Sequence, residues 1–224
     1  MDTTALKERY DRVKAALPPN VTLVAVSKTR TVEEIRALYD LGHRDFGENY
    51  PQELRDKQPL LPADIRWHFI GHLQTNKVKY LAPFVHLVHA VDSERLLDEL
   101  DKRAAATGRT IDVLLQLRIA AEDTKHGSQE HDLRALLKAF GAGRWPGLRA
   151  RGLMGMATLT RDREQVRREF ARLGALYRSL HAENSVDHAT FDTLSMGMSD
   201  DADLAIAEGS TMVRIGTALF GPRG

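Results

Sequence analysis

The chain has 224 residues, 42% hydrophobic and 28% charged, a balance that suits one folded domain with a full core and excludes a disordered chain. Basic and acidic side chains nearly cancel at a formal charge of +1, so the molecule as a whole has no electrostatic reason to bind nucleic acid or a membrane surface. There is no cysteine, which excludes disulfides, thiolate nucleophiles and cysteine-ligated metals and agrees with a reducing compartment.

Residues 1–20 place Leu6, Tyr10, Val13 and Leu17 at helical spacing among charges, and Pro18-Pro19-Asn20 ends that helix. The segment has no apolar leader core, and no apolar run approaches the length of a membrane span, so a cytoplasmic protein is expected. Residues 21–26 (VTLVAV) are almost continuously apolar, as a parallel strand buried on both faces requires. Thr31 then opens a helix, with Glu34 as capping-box partner and Gly42 as its stop. Further strands are predicted at 43–46, 66–70, 85–90, 111–117, 148–154, 190–194 and 212–215. The clearest helices between them fall at 93–107, 129–140, 162–181 and 201–208.

This alternation makes about eight βα units, the number that closes a (β/α)8 barrel of the TIM type; an open doubly wound sheet is the main competitor. No linker, repeat or low-complexity tract divides the chain. Residues 1–224 therefore read as one α/β domain, with the N-terminal helix added outside the barrel.

In a parallel barrel the functional residues lie in the loops after the strands. Lys28 follows the first strand in Ser27-Lys28-Thr29-Arg30. Partial burial and a nearby cation, for which Arg30 is a candidate, favour the neutral amine that condenses with an aldehyde. A strand-end lysine is by itself more often a surface residue. The last two loops change that balance. Ser195-Met196-Gly197-Met198-Ser199-Asp200 follows the seventh strand, and Gly216-Thr217 follows the eighth. Small residues admit an anion to backbone N–H groups, hydroxyls add donors, and these two loops are the frequent phosphate site of such barrels. Asp200 opposes an anion unless it is turned aside as a helix cap. A phosphate cup and a strand-end lysine together suit a phosphorylated aldehyde, which could be pyridoxal phosphate or the sugar phosphate of an aldolase.

The runs VAVSKTR (24–30), FGENYPQE (46–53), WHFIGHLQTNK (67–77), HAVDS (89–93), LSMGMSDD (194–201) and MVRIGTALFG (212–221) resemble, in order and across nearly the whole chain, motifs of the pyridoxal phosphate homeostasis family. The resemblance implies a barrel like the N-terminal domain of alanine racemase, with pyridoxal 5′-phosphate (PLP) held as a Schiff base on Lys28. Ser195, Gly197, Ser199, Gly216 and Thr217 match the stretches around the phosphate, Arg214 lies near the pyridine ring, and Asn49 stands near the cofactor. An arginine at the ring nitrogen would keep that nitrogen unprotonated and weaken the electron sink. The family is thought to hold and pass on PLP in vitamin B6 homeostasis without catalytic turnover, so no catalytic residue is assigned. PLP-requiring apoenzymes are then the candidate recipients, and a monomer is favoured over a dimer.

The alternative is a weak PLP-dependent amino-acid racemase. A two-base racemase needs a second acid/base across the cofactor, and Tyr10, Tyr39, Tyr50, Tyr80 and Tyr177 offer no evident one, most falling in helices or outside the barrel. A third reading is a sugar-phosphate lyase. His68 and His72 straddle a strand end, which favours a hydrogen-bonded core histidine over a metal pair. Lys125, after the fifth strand, is a candidate for cofactor transfer or a solvated loop lysine. Met154, Met156, Met196 and Met198 read as packing around the mouth, and the Arg-rich stretch 161–173 as a solvated outer helix.

Overall fold

Each strand of this protein is short and largely buried, and the chain buries both faces of the sheet by closing it on itself. The computed structural model describes residues 3–120 and 127–222. The strands are β1 (Thr22–Val26), β2 (Asp45–Glu48), β3 (Arg66–Phe69), β4 (Leu87–Val91), β5 (Ile111–Gln116), β6 (Leu148–Met154), β7 (Thr193–Ser195) and β8 (Met212–Ile215). All pair in parallel in sequence order, and Ala25 of β1 stands opposite both Phe46 of β2 and Ile215 of β8. That last pairing closes the barrel and removes the open sheet from consideration.

The helices are α1 (Thr3–Ala16), α2 (Val32–Asp40), α3 (Pro51–Lys57), α4 (Val78–Leu81), α5 (Glu94–Thr107), α6 (Glu130–Gly141), α7 (Arg163–Ala182), α8 (Ala202–Ala207) and α9 (Thr217–Phe220). The capping box at the start of α2 is complete: Thr31 Oγ1 accepts the Glu34 amide and the Glu34 carboxylate accepts the Thr31 amide. Alternation along the strands sends Leu23, Ala25, Trp67, Phe69, Val113 and Leu115 outward into the main core against the helices. Val24, Leu87, Leu114, Met154 and Met212 face inward and form a separate, smaller cluster. The Arg-rich stretch lies mainly in α7, which buries Val166, Phe170, Leu173, Leu176 and Leu180 together with Glu169 and presents its arginines outward. α1 lies outside the barrel, its Leu6 buried and its Arg9 donating to Leu219 O at 2.7 Å, so that the N-terminal helix holds α9 in place.

Four strands start later than expected: β1 at Thr22, β2 at Asp45, β4 at Leu87 and β7 at Thr193. His43 is not part of β2; its ring packs edge-on against Tyr10 and Phe46, and its Nε2 meets Asp45 O at 2.8 Å. β7 begins at Thr193 because Thr190 and Phe191 are drawn into a turn on Asp187, bonding back to its carbonyl. Gly152 has φ +150, and a Cβ there would lie 1.7 Å from Thr193 O, so only glycine lets β6 approach β7.

The floor of the barrel, at the N-terminal ends of the strands, is polar. Asp45 pairs with Arg66, Asp112 with Arg149 and Arg151, and Asp192 with Arg151. A cavity of about 440 Å³ opens there, lined in part by Asp45, His68, His86, Asp112 and Arg151.

Candidate functional site

The opposite end, the mouth, collects the residues singled out from sequence. Val24 of β1 faces the lumen, and Lys28 follows the C-terminal end of that strand, half-buried in the turn at the rim. Thr29 then turns the chain with a left-handed backbone at φ +63, a conformation costing a non-glycine residue about 1–2 kcal/mol. Its amide is held by Glu53 Oε1 at 2.6 Å.

Behind Lys28 stands a buried polar cluster that sequence reading missed. Lys57 Nζ donates to Ser27 O and to Glu48 Oε1, both at 2.9 Å, and to Glu53 Oε1 at 2.5 Å, while Ser27 Oγ donates to Glu48 Oε1 at 2.7 Å. The cluster clamps the backbone on both sides of Lys28. Burial raises the Glu48 carboxyl above its usual range, and Lys57 and Ser27 pull against that. The i, i+4 pair Glu53–Lys57 was visible in the sequence, but its burial was not.

The loops after β7 and β8 meet at the same end of the barrel. The Arg214 amide bonds Gly197 O at 3.0 Å, bringing the β7 loop onto β8. Gly197 has φ +89, and a Cβ there would stand 2.7 Å from that of Ala205. A Cβ on Gly216 would meet Val26 Cβ at 3.3 Å, so the bare backbone of the β8 loop lies against the residue two before Lys28. Ser199 is half-buried and Thr217 exposed on these loops. Asp200 is exposed, and its neighbour Asp201 accepts the Met198 amide at 2.6 Å. Asn49 ends the GEN stretch; among the described residues its buried Oδ1 has no hydrogen-bond partner. It lines a cavity of about 310 Å³ with Tyr50, His72, Gln74 and Lys77.

Arg214 lies inside the barrel at 4% exposure, its Nη1 donating to Ser195 Oγ and its Nη2 to Gly155 O at 3.1 Å. Burial draws the guanidinium down to about 10, so it stays charged at neutral pH. A guanidinium carries five N–H donors, so the two bonds leave capacity for an acceptor entering from the mouth.

Several expectations change in detail. The Ser195 side chain is fully buried and faces the lumen, where its hydroxyl meets Arg214 and His89. Arg30 is turned from Lys28 toward the C-terminal residues, pairing with Glu34 at 3.3 Å, donating to Gly221 O and stacking on Phe220. Tyr50 lies in the loop after β2 at the mouth, 53% exposed. His68 is a hydrogen-bonded core histidine, whereas His72 is exposed beyond β3. Met154 and Met156 belong to the lumen cluster and Met196 to the outer core. Lys125 lies outside the described residues.

The donor set fits a phosphorylated pyridine aldehyde: an amine at the rim, an orphaned buried acceptor on Asn49, a glycine cradle at Gly197 and Gly216, and a buried guanidinium with spare donors. A sequence profile of the alanine racemase N-terminal domain matches residues 1–224. The pyridoxal phosphate homeostasis protein of Pseudomonas aeruginosa is 42% identical over 207 residues, covering 92% of this chain and 86% of that one. PipY of Synechococcus elongatus, at 36% identity over 96% of this chain and 100% of its own, superimposes with a TM-score of 0.89 without PLP and 0.86 with PLP bound. The alanine racemase of Streptomyces lavendulae, 19% identical, shares the fold over 99% of this chain and 58% of its own, at a TM-score of 0.77.

Proposed function

Because the chain belongs to the alanine racemase N-terminal-domain family, we propose that it binds pyridoxal 5′-phosphate and serves vitamin B6 homeostasis, like the relative 42% identical to it. The observation that carries this reading is the half-buried Lys28 at the end of β1, whose Val26 lies against the open backbone of Gly216. When bound, the cofactor supplies an aldehyde carbon for a Schiff base and a phosphate for anchoring. Lys28 Nζ would form the tether with loss of water. Gly197, Ser199, Gly216 and Thr217 would hold the phosphate through backbone amides and hydroxyls. Arg214 would present N–H donors to the ring nitrogen, and Asn49 would give its orphaned Oδ1 a partner. Ser195, facing the lumen, would act through Arg214 more than on the phosphate itself.

We read the protein as a carrier, a single barrel unit with α1 packed outside, working in the cytoplasm as a monomer and passing PLP to apoenzymes. Among the described residues no helix is long and apolar enough to cross a membrane. The second reading, a weak amino-acid racemase, draws on Tyr50, whose exposed phenol stands at the mouth where an acid/base would be needed.

The purified protein should show a visible absorption band that borohydride abolishes, with the reduced adduct mapped to Lys28 and absent from Lys28→Ala. Colourless protein that takes up no added PLP would overturn the proposal. Sustained α-proton exchange on any amino acid, lost in Lys28→Ala and Tyr50→Phe, would replace the carrier by the racemase. Elution at twice the expected mass from a sizing column would overturn the monomer.

A further inference from the structure

The helix that follows the β8 loop, α9, is a single turn from Thr217 to Phe220. Isolated helices shorter than roughly 12–15 residues are marginal in water, so this one is placed by what grips it from outside. Leu219 and Phe220 are buried, and two arginines face the carbonyls at its C-terminal end. Arg9 of α1 donates to Leu219 O at 2.7 Å. Arg30 donates through Nη2 to Gly221 O, its Nη1 lies 3.5 Å from Pro222 O, and its guanidinium sits 5.4 Å from the centre of the Phe220 ring. Cations suit this end of a helix, where the last carbonyls have no partner within it.

The other end of the same turn is the loop assigned to the phosphate. Gly216 O accepts the Leu219 and Phe220 amides at 2.9 and 3.0 Å, and Thr217 O accepts the Gly221 amide at 2.9 Å. Gly216 and Thr217 therefore move with α9, and whatever fixes its C-terminal end fixes them.

Arg30 also belongs to the turn that carries Lys28. Its amide bonds Ser27 O at 3.0 Å and closes a β-turn with Lys28 and Thr29 at the centre. Ser27 O takes Lys57 Nζ as well, and Glu53 holds the Thr29 amide, so both peptide groups bonded to Lys28 Cα are pinned. The Arg30 guanidinium is pinned in turn. Glu34 Oε1 accepts Nη1 at 3.3 Å, while Glu34 Oε2 accepts the Thr31 amide at 2.8 Å and completes the cap of α2. Only 10% of the Arg30 side chain is exposed, so it is a packed strut rather than a solvated arm. It runs from the Lys28 turn to the end of α9.

We infer that Arg30 is a positioning and specificity-determining residue, fixing the span between the Lys28 amine and the Gly216–Thr217 loop so that the site selects an aldehyde whose phosphate lies at the matching distance. This rests on the PLP reading for the identity of the ligand. Arg30 acts through α9 and not on the ligand itself. A ligand held at two points gains from the second contact only when the two sites stand at its own length. One held by the amine alone does not feel that span. Arginine suits the task because its planar fork serves two carbonyls and a ring face together, which an ammonium cannot do.

The test compares PLP with pyridoxal, the same aldehyde without the phosphate. Full-length wild type, Arg30→Met and Arg30→Lys are titrated with each, and the absorption band of the Lys28 adduct gives the two Kd values. Methionine keeps apolar bulk against Phe220 but donates nothing; lysine keeps the charge without the fork. The readout is the Kd for pyridoxal divided by the Kd for PLP. The internal hemiacetal of free pyridoxal weakens its binding by one common factor, which drops out when proteins are compared. Arg30→Met should lower this ratio about 5-fold or more, with its affinity for pyridoxal within about 2-fold of the wild type. An unchanged ratio would overturn the inference. So would an equal loss of affinity for both aldehydes, the mark of a residue that only stabilises the fold. If Arg30→Met does not fold, Arg30→Lys decides: a ratio lowered about 2-fold or more supports the strut, and the wild-type ratio refutes it. Wild type that forms no Lys28 adduct with either aldehyde would instead overturn the PLP reading, and this inference with it.

Discussion

Replacing Lys57 by methionine removes the group that clamps the strand end carrying Lys28. Lys57 bonds Ser27 O and Glu48 Oε1 at 2.9 Å and Glu53 Oε1 at 2.5 Å, and Glu48 is fully buried. Without Lys57 the Glu48 carboxylate keeps only the Ser27 hydroxyl, since its Oε2 already lacks a partner. Breaking a buried ion pair from one side costs about 3–5 kcal/mol. At roughly 2–4 °C per kcal/mol for a chain of this size, the unfolding midpoint should fall by about 6–20 °C. Glu48→Gln/Lys57→Met should recover part of the loss, giving a coupling energy of about 1–3 kcal/mol.

The pH dependence has a definite sign. Burial holds the Glu48 carboxyl above its usual range against the pull of Lys57, so losing Lys57 moves it further up. A raised carboxyl favours the folded state below its unfolded pKa, and that contribution disappears as pH rises through the folded value. The deficit of Lys57→Met should therefore be largest near pH 7.5 and shrink toward about pH 5. Urea unfolding followed by the fluorescence of buried Trp67 and Trp145 measures both. A deficit below about 1 kcal/mol, or one identical at the two pH values, would refute the assignment of Lys57 as the partner of a strained buried carboxylate.

Asn49→Leu removes a buried acceptor that lacks a partner, so stability should hold or rise while PLP retention weakens about 2- to 10-fold; equal retention would separate Asn49 from the cofactor. Thr217→Ala, at an exposed position, should leave stability within about 0.5 kcal/mol and weaken retention by about 0.5–1.5 kcal/mol, read by equilibrium dialysis. Burial draws His43 down to about 4, so the unfolded state binds more protons between that value and the ordinary one of 6.5. Stability should consequently fall as pH drops through this window, and His43→Asn should flatten the decline in denaturant midpoints; an unaltered slope would exclude His43 as its source.

Much of this site was legible in the chain because its determinants are local. A capping box needs residues three apart, so Thr31 and Glu34 predicted the start of α2 from sequence. Lys28, Gly216 and Thr217 stand just past apolar runs, and the end of a run marks the end of a strand. Arg30 misled because its neighbourhood in sequence is Lys28, whereas its partners in space are Glu34 and the residues around Phe220 and Gly221. Ser195 sits beside a glycine-rich loop, and as the last residue of β7 its side chain follows the inward face.

By itself the sequence determined the eight βα units and the strand-end lysine, because periodicity, caps and strand ends are set by residues within a few positions of one another. Closure was decided by the tertiary structure, through Ala25 meeting both Phe46 and Ile215. So was the division of each strand into a core face and a lumen face, since a parallel strand buried on both sides carries no hydropathic alternation to mark them. Only that division brings Asp45, His68, His89, Ser195 and Arg214 together, from strands that nothing in the local chain connects.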